Sequence, residues 1–295
     1  MKKVVLSLSL ASAIALAEDG VVDLEKLNAD IAAAKSEKSV AEAKLKALQA
    51  QIPQDTRLIT HTELGYIETS GNTNTQTFNL DAQAKKSWGN HSGQIIFDGQ
   101  YATQNQIETK NKFLTELSYD YSFSKHFAFN YLVGYKKDRF SGFDYQFYTG
   151  PGAKYKALKT TNHELSFDGN ILYSLDSYES VNLDASGNII AYPNPNNIPT
   201  VSSHPAYDDQ YASYRVKGVY NWQILSNLKF DQELTFRGSF EKSENYFAYS
   251  KSSLTTKFSD ILSGGLSYKV DYINLPAEGK EPTDTTFTAN LIIDY

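Results

Sequence analysis

From Thr56 to the end of the chain, apolar and polar residues alternate with a period of two, which predicts β-strands with one apolar face. In one such segment Phe78 and Leu80 alternate with Asn79 and Asp81. We predict twelve strands, which cover or lie within residues 57–69, 75–88, 94–101, 113–123, 127–135, 147–157, 163–173, 214–222, 228–240, 246–258, 261–272 and 285–295.

Two kinds of fold produce this alternation. A soluble sandwich packs the apolar side chains into its core and exposes the polar ones to water. A membrane barrel does the reverse, with apolar side chains facing lipid and polar side chains lining the interior. Predicted strands of about ten or more residues suit tilted spans of a bilayer better than a sandwich, whose strands are usually about five or six residues long.

Connection lengths and aromatic residues also separate the two folds. Connections after the even-numbered strands are short, whereas those after the odd-numbered strands are mostly longer, up to the segment 176–209. Aromatic residues lie beside both ends of the strands, such as Trp88 at one end and Tyr101 at the other. Outer-membrane barrels have both features. We therefore predict an all-β fold, a transmembrane antiparallel β-barrel of twelve strands, over residues 55–295.

The start of the chain predicts export. Lys2 and Lys3, an apolar run and the small-x-small end at Ala17 are typical of a secretory signal peptide, here residues 1–17. The apolar run is too short to cross a bilayer as a helix, which takes about 20 apolar residues. Signal peptide and barrel together place the protein in the outer membrane of a Gram-negative bacterium, in contact with outer-membrane lipids and lipopolysaccharide.

Residues 18–54 have a different pattern from the barrel. Apolar residues from Leu24 to Ile52 recur at spacings of three and four, interrupted by Lys38, and Pro53 ends the pattern. This predicts a periplasmic amphipathic or coiled-coil helix. Two interpretations remain open: the helix pairs with other copies, which gives a homo-oligomer through residues 24–52, or it packs on the next domain.

Composition excludes several kinds of chemistry. The chain has no cysteine, which excludes disulfide scaffolds, thiolate nucleophiles and Cys-type zinc sites. The net charge of −6 and the lack of a basic stripe argue against a nucleic-acid partner.

The segment 90–94, NHSGQ, has the residue types of a Ser/His hydrolase but lies at a turn. We predict no enzyme, catalytic residue, metal site or cofactor, and keep a lipid-modifying hydrolase as a distant alternative.

The predicted inward faces carry charges of both signs. Eleven acidic and eleven basic candidates face the interior, without the ladder of one sign that a charge-selective channel requires. This favours a passive, weakly selective channel for small solutes or ions. The alternative is a lumen closed by salt bridges in a non-transporting structural or adhesion barrel. The lumen-lining set that we predict is Lys85, Glu116, Asp120, Lys154, Asp168, Arg215, Lys217, Asp231, Glu233, Arg237 and Lys269.

The chain ends in mid-strand with FTANLIIDY. In a barrel this last strand must pair with the first, because an unpaired edge is not tolerated in lipid. The ending also resembles the signal that the outer-membrane assembly machinery reads. The residues of this predicted signal are Phe287, Leu291, Ile293 and Tyr295.

Two motifs resemble those of the salt-induced outer-membrane protein family, domain of unknown function 481. They are Ser-Gly-Asn-Thr at Ser70–Thr73 and Asp-Arg-Phe-Ser-Gly-Phe-Asp-Tyr at Asp138–Tyr145. The resemblance covers roughly Glu63 to Tyr295. It implies an outer-membrane barrel and an association with salt or envelope stress, but no substrate and no catalytic residue.

The motif residues are expected in outer turns. Gly71 and Asn72 suit positive φ angles in a tight turn, and Arg139 is expected to pair with Asp138 or Asp144. The full predicted set is Ser70, Gly71, Asn72, Asp138, Arg139, Gly142 and Asp144.

Overall fold

The computed structural model describes residues 24–51, 58–69, 74–190, 194, 196–277 and 280–294. The chain divides into two units, Met1–Gln54 and Asp55–Tyr295. Some predictions lie outside the described residues and are not tested by the structure. These are the signal peptide over 1–17, the turn residues Ser70, Gly71 and Asn72, and the terminal Tyr295.

The first unit contains one described helix, α1, which covers Leu24–Gln51. Its sequence is rich in Ala, Lys, Glu and Leu and has neither Gly nor Pro, so helix propensity is high throughout. Lys38 and Glu42 form an exposed i, i+4 ion pair at 3.8 Å. Among the described residues, no helix is both long and apolar enough to cross a membrane.

The second unit is a closed antiparallel barrel of twelve strands, which confirms the predicted fold. Two further strands, β8 and β9, form a separate hairpin. The strands are β1 Leu58–Thr69, β2 Thr75–Trp88, β3 His91–Gln104, β4 Ile107–Ser122, β5 Phe127–Asp138, β6 Phe143–Lys159, β7 His163–Tyr178, β8 Val181–Leu183, β9 Ser202–His204, β10 Tyr207–Leu225, β11 Leu228–Ser239, β12 Tyr246–Lys257, β13 Leu262–Ile273 and β14 Thr283–Asp294.

The barrel closes by pairing its first and last strands. Around the ring the order is β1-β14-β13-β12-β11-β10-β7-β6-β5-β4-β3-β2, so strands adjacent in the chain are neighbours apart from the β8–β9 hairpin. The β1–β14 ladder runs from His61↔Asp294 to Gly65↔Asn290. The chain end therefore forms the seam of the barrel, as the terminal alternation predicts.

The two rims differ in their connections. The short-turn rim has the connections 89–90, 123–126, 160–162, 226–227 and 258–261. The opposite rim, here called the loop rim, has the connections 70–74, 105–106, 139–142, 179–206, 240–245 and 274–282. The difference in length that the sequence predicts is therefore present, with the β8–β9 hairpin inside the longest loop.

One loop-rim connection corrects the sequence prediction. Strands β3 and β4 extend to Gln104 and from Ile107, so residues expected in a longer loop belong to a hairpin. Its turn is Asn105–Gln106, with φ angles of 49° and 66°. Positive φ at both positions is typical of a tight two-residue hairpin turn. Thr103 and Lys110 lie in stretches that are polar on both faces, so the apolar alternation that marks strands is lost there.

The barrel wall is apolar outside and polar inside. Large apolar side chains on its outer face are exposed, including Ile171 at 65% and Leu234 at 56%. Inward charged residues are buried, with Lys269 only 2% exposed. A small apolar cluster of Leu132, Tyr148 and Leu172 is the only hydrophobic core found among the described residues. This distribution requires apolar surroundings for the outer face.

Candidate functional site

The barrel encloses a cavity of about 830 Å³. Gly89 and Asn90 contribute to its wall at the short-turn rim, and Gln146 and Phe247 contribute at the other end. No described residue of the loop-rim connections lines it. The described part of the 179–206 loop therefore does not narrow the lumen, and the cavity reaches the short-turn rim while ending below the loop rim.

The structure places the predicted lumen residues as follows. Lys269 does not line the cavity; its Nζ donates to Asp81 Oδ1 at 2.9 Å and to Asp98 Oδ2 at 2.7 Å, two carboxylates that do. The other ten line the cavity: Lys85, Glu116, Asp120, Lys154, Asp168, Arg215, Lys217, Asp231, Glu233 and Arg237. The period of two along each strand is what brings them to one side of the wall.

Lys251 extends the Lys269 cluster across the lumen. Its Nζ donates to Glu63 Oε1 at 2.9 Å and lies 3.1 Å from Asp81 Oδ2. The two lysines come from β12 and β13, and the three carboxylates from β1, β2 and β3. Three carboxylates against two lysines leave this part of the lumen acidic.

A second cluster joins β10 to β4. Arg215 Nη2 donates to both carboxylate oxygens of Glu116 at 3.2 Å, and the Tyr148 hydroxyl donates to Glu116 at 2.6 Å. All three residues are buried. Because the Arg215 guanidinium and the Tyr148 hydroxyl both donate hydrogen bonds to this carboxylate, the buried charge of Glu116 is compensated.

A third cluster lies nearer the short-turn rim and contains three lysines. Lys154 Nζ donates to Asp120 at 2.7 Å and lies 3.7 Å from Asp168. Lys85 and Lys156 also line the cavity, and Lys85 is within electrostatic reach of Lys154 and Lys156. Among the described residues no carboxylate forms an ion pair with Lys85 or Lys156. Asp120 and Glu164 are also within electrostatic reach of Lys85, so charges of both signs face the lumen at this level as well.

Arg237 lies at the end of the cavity that is nearer the loop rim. Its guanidinium carbon lies 4.8 Å from the centre of the Tyr148 ring and 4.4 Å from that of Phe247, in cation–π contact with both. Nη1 donates to Ser174 at 3.2 Å, and Nη2 lies 3.6 Å from Asp176. Sequence reasoning missed Asp176, because it assigned this residue to the long loop; β7 continues to Tyr178.

A layer of charged residues lies at the same end, between opposite walls. Asp271 accepts from Lys112 Nζ at 2.7 Å, and its other oxygen lies 3.6 Å from Lys136 Nζ. Lys110 Nζ lies 3.7 Å from Asp284 and donates to Thr286 at 3.0 Å. These contacts join β4 and β5 to β13 and β14 across the lumen, so the wall is braced from inside.

The second family motif brings two opposite loop-rim connections together. Gly142 has a φ of 81°, and a Cβ atom there would collide with the Cβ of Ala277 in the 274–282 connection. The next residue, Phe143, is 1% exposed, and its ring packs on Tyr178 at 4.6 Å and Phe247 at 6.3 Å. The motif residues therefore form a contact across the mouth of the barrel at the loop rim.

The charged residues of this motif hold its turn. The Asp138 carboxylate accepts from the Phe140 N–H at 3.1 Å. Nη1 of Arg139 lies 3.5 Å from Glu108 on β4, and Asp144 accepts from Lys137 at 2.9 Å. The described residues of the expected set, Asp138, Arg139, Gly142 and Asp144, thus lie at or beside the loop rim, and the ion pair described for Arg139 is with Glu108 rather than with the expected Asp138 or Asp144.

The terminal strand presents the predicted apolar residues outward. Phe287 is 60% exposed, and Leu291 and Ile293 are also exposed on the outer face of β14. Ile292, the exception in the alternation, faces inward and is buried. These three exposed residues form a continuous apolar stripe beside the seam.

Four histidine rings were candidates for the general base of a hydrolase. His61 lies between Asp294 at 2.6 Å and Glu63 at 3.0 Å. The rings of His91 and His163 contact tyrosine hydroxyls, and that of His126 contacts the Lys156 carbonyl. None of these four rings bonds a Ser or Thr hydroxyl, so none forms the nucleophile–base pair of a hydrolase. No group of three or more potential ligands for a metal was found among the described residues.

An apolar outer face around a charged and hydrogen-bonded interior defines the class of the fold: it is a β-barrel of the membrane type. The chain belongs to the family described as "Protein of unknown function, DUF481", which matches residues 62–295. No curated protein matches the chain.

Solved barrel structures are similar to this chain at low sequence identity. The NanC porin is 11% identical, with a TM-score of 0.42 over 80% of this chain and 98% of its own. The translocator domain of autotransporter NalP from Neisseria meningitidis is 10% identical, with a TM-score of 0.45 over 89% and 97%. The KdgM porin is 9% identical, with a TM-score of 0.37 over 81% and 98%.

Proposed function

We propose that this protein is an outer-membrane β-barrel whose lumen is a passive, weakly selective channel for small polar solutes or ions. The observation that carries the proposal is the cavity of about 830 Å³, lined by charged side chains inside a wall with an apolar outer face. A wall of this kind is stable in lipid and keeps its interior wet.

The two rims support an orientation. Outer-membrane barrels have short turns on the periplasmic side and longer loops outside. We therefore place the short-turn rim and helix α1 in the periplasm of a Gram-negative cell, and the loop rim among lipopolysaccharide. A protease added to intact cells is then expected to cut within the 179–206 loop and to leave residues 24–51 intact.

The charges of the cavity wall support weak selectivity. The cavity wall carries eleven carboxylates and ten lysine or arginine side chains, and many of these opposite charges form ion pairs. A lumen without a ring of one sign does not strongly exclude either cations or anions. The expected reversal potential in a salt gradient is therefore small.

We further propose that the structure represents a closed form of this channel. Asp271 with Lys112 and Lys136, and Gly142 with Ala277, join opposite sides of the barrel near the loop rim. Passage of a solute requires these contacts to separate. We therefore expect brief openings rather than a steady large conductance.

Planar-bilayer recording of the refolded full-length protein tests this proposal. We expect discrete current steps that become more frequent in Asp271→Asn, since this change removes the charge that holds Lys112 and Lys136. The matched control is Asp260→Asn, which removes an exposed carboxylate that pairs with Lys257 at the short-turn rim. If the native protein and Asp271→Asn both fail to conduct, the channel proposal is wrong.

The closed mouth favours one alternative, a non-transporting structural or adhesion barrel of the cell envelope. In that case the ion pairs brace the wall permanently, and neither Asp271→Asn nor a deletion of 181–204 produces conductance. Binding of cells to a surface, lost on deletion of 181–204 without loss of folded barrel, would support adhesion.

Two further parts of the proposal concern partners. Helix α1 is proposed to join copies of the chain through residues 24–52, which light scattering of the detergent-solubilised protein with and without these residues tests. The apolar stripe of β14 together with Tyr295 is proposed to be read by the outer-membrane assembly machinery.

The association with salt or envelope stress, implied by the family resemblance, predicts that expression rises at high external salt.

A further inference from the structure

The chain contains two tryptophans, and the structure gives both the same surroundings. Each is exposed on the outer face of the barrel at the short-turn rim. Each is in cross-strand register with a histidine, Trp88 with His91 and Trp222 with His163. The paired rings stack, with centroids 5.9 Å and 5.8 Å apart and interplanar angles of 9° and 21°.

A tyrosine completes each arrangement. Nδ1 of His91 is 2.6 Å from the Tyr119 hydroxyl, and Nδ1 of His163 is 2.8 Å from the Tyr220 hydroxyl. We name the first set, Trp88, His91 and Tyr119, stack A, and the second, Trp222, His163 and Tyr220, stack B. Stack A spans β2, β3 and β4, whereas stack B is built on β7 and β10. The same triad thus arises twice from different strand combinations.

The hydrogen bonds leave donors available in both stacks. When the tyrosine hydroxyl donates to Nδ1, the proton of the neutral imidazole is on Nε2. Within the described part of the chain, neither this Nε2 nor the indole Nε1 has a hydrogen-bond partner in either stack. Each stack therefore offers two ring N–H groups without a protein acceptor.

The position of the stacks indicates which acceptor they meet. In the membrane placement proposed above, on which this inference rests, aromatic residues at a barrel rim lie at the level of the lipid head groups. A phosphodiester has oxygens that accept hydrogen bonds and a negative charge that strengthens them. Lys86 is exposed two residues before Trp88 on the same face of β2, which adds a cation beside stack A.

We propose that stacks A and B are binding sites for the phosphate group of a phospholipid in the periplasmic leaflet. In each, the imidazole Nε2–H and the indole Nε1–H donate to phosphate oxygens, and the tyrosine hydroxyl holds the imidazole in the required tautomer. Stack A binds more tightly than stack B, because the residue that corresponds to Lys86 in stack B is Tyr220.

Tryptophan fluorescence tests this directly, because each stack holds one of the two tryptophans. The full-length protein is refolded in maltoside micelles and titrated with dioleoyl phosphatidylethanolamine, with dioleoylglycerol or with inorganic phosphate. Trp222→Phe leaves Trp88 as the reporter of stack A, and Trp88→Phe leaves Trp222 as the reporter of stack B. We expect saturable changes with the phospholipid alone, at lower concentration for stack A.

Substitution of the histidines tests the role of the N–H donor. His91→Phe in the Trp222→Phe background keeps a stacking ring and removes the donor, which is expected to weaken phospholipid binding about tenfold. His126→Phe is the matched control, since its ring lies at the same rim but contacts the Lys156 carbonyl and no tryptophan. If His91→Phe does not refold, Tyr119→Phe tests the same site by removing the tautomer-fixing hydroxyl.

Three results would overturn the proposal. An equal response to dioleoylglycerol means that the rings bind acyl chains only. Saturation by inorganic phosphate means an anion site that does not select a lipid. Unchanged affinity in both His91→Phe and Tyr119→Phe removes the stack as the binding site. The readout requires only a folded barrel, checked by its heat-dependent gel migration, so absence of conductance affects the channel proposal alone.

Discussion

Lys136 and Asp271 face each other across the full width of the barrel, with Nζ and Oδ1 3.6 Å apart. Their strands, β5 and β13, are six places apart in either direction around the ring. An ion pair between diametrically opposite strands divides the lumen at this level. Because Lys112 donates to the same carboxylate, Asp271 links β13 to both β4 and β5.

Asp271→Asn is expected to increase the frequency of channel openings several-fold in bilayer recordings. The amide no longer attracts Lys112 and Lys136, which then repel each other. The same change is expected to shift selectivity toward anions, since it removes one negative charge from the lumen. A decrease in opening frequency relative to Asp260→Asn would contradict this role for Asp271.

Gly142→Ala is expected to open the mouth at the loop rim. Alanine at a positive φ destabilises the turn by about 1 kcal/mol. The added methyl group also collides with Ala277. Gly187→Ala is the matched control, because Gly187 has the same φ of 81° and nothing within 4 Å of a Cβ. Conductance is expected to rise in Gly142→Ala and to stay unchanged in Gly187→Ala. Equal behaviour of the two variants would show that the contact across the mouth has no effect on conduction.

Lys269→Met is expected to lower the free energy of unfolding by about 3–5 kcal/mol, since it leaves the half-buried carboxylates Asp81 and Asp98 without this buried partner. The loss is measured from the urea midpoint of the barrel in detergent micelles. Lys257→Met is the control, because its pair with Asp260 is exposed and such pairs contribute about 0–1 kcal/mol. A loss in Lys269→Met no larger than the control's would mean that Lys251 alone compensates the cluster.

Changing Tyr295 to Asp, or adding polar residues after it, is expected to impair insertion into the outer membrane. The physical reason is the seam, where β14 must pair with β1 at the end of the chain. Insertion is measured as the fraction of protein that shows heat-dependent gel migration in isolated outer membranes. Phe287→Asp, which places a charge on the apolar stripe of β14, serves as a positive control for loss of insertion. Normal surface assembly of the Tyr295 variants would refute the terminal signal.

Alternation along the chain was sufficient to predict the twelve strands and the inward side of the wall, because a period of two has only two faces. The alternation failed to predict the ends of strands where both faces of the strand are polar. Around Asn105 both faces of β3 and β4 are polar, so the hairpin gave no signal. The same loss hid the end of β7, and with it Asp176.

Sequence reasoning also found the charges of the lumen but not their partners. Glu116 and Arg215 are 99 positions apart, and their pairing depends on which strands face each other across the ring. No local pattern carries that information. The role of Gly142 was equally hidden, because the atom that it must avoid belongs to a connection on the opposite side of the barrel.

The seam has a consequence for how the barrel comes apart. Among the described residues the β1–β14 ladder covers His61–Gly65 against Asn290–Asp294, whereas β10 and β7 pair from Tyr207↔Tyr178 to Trp222↔His163. Heat or force is therefore expected to open the ring first at the junction of β1 and β14, before β7 and β10 separate.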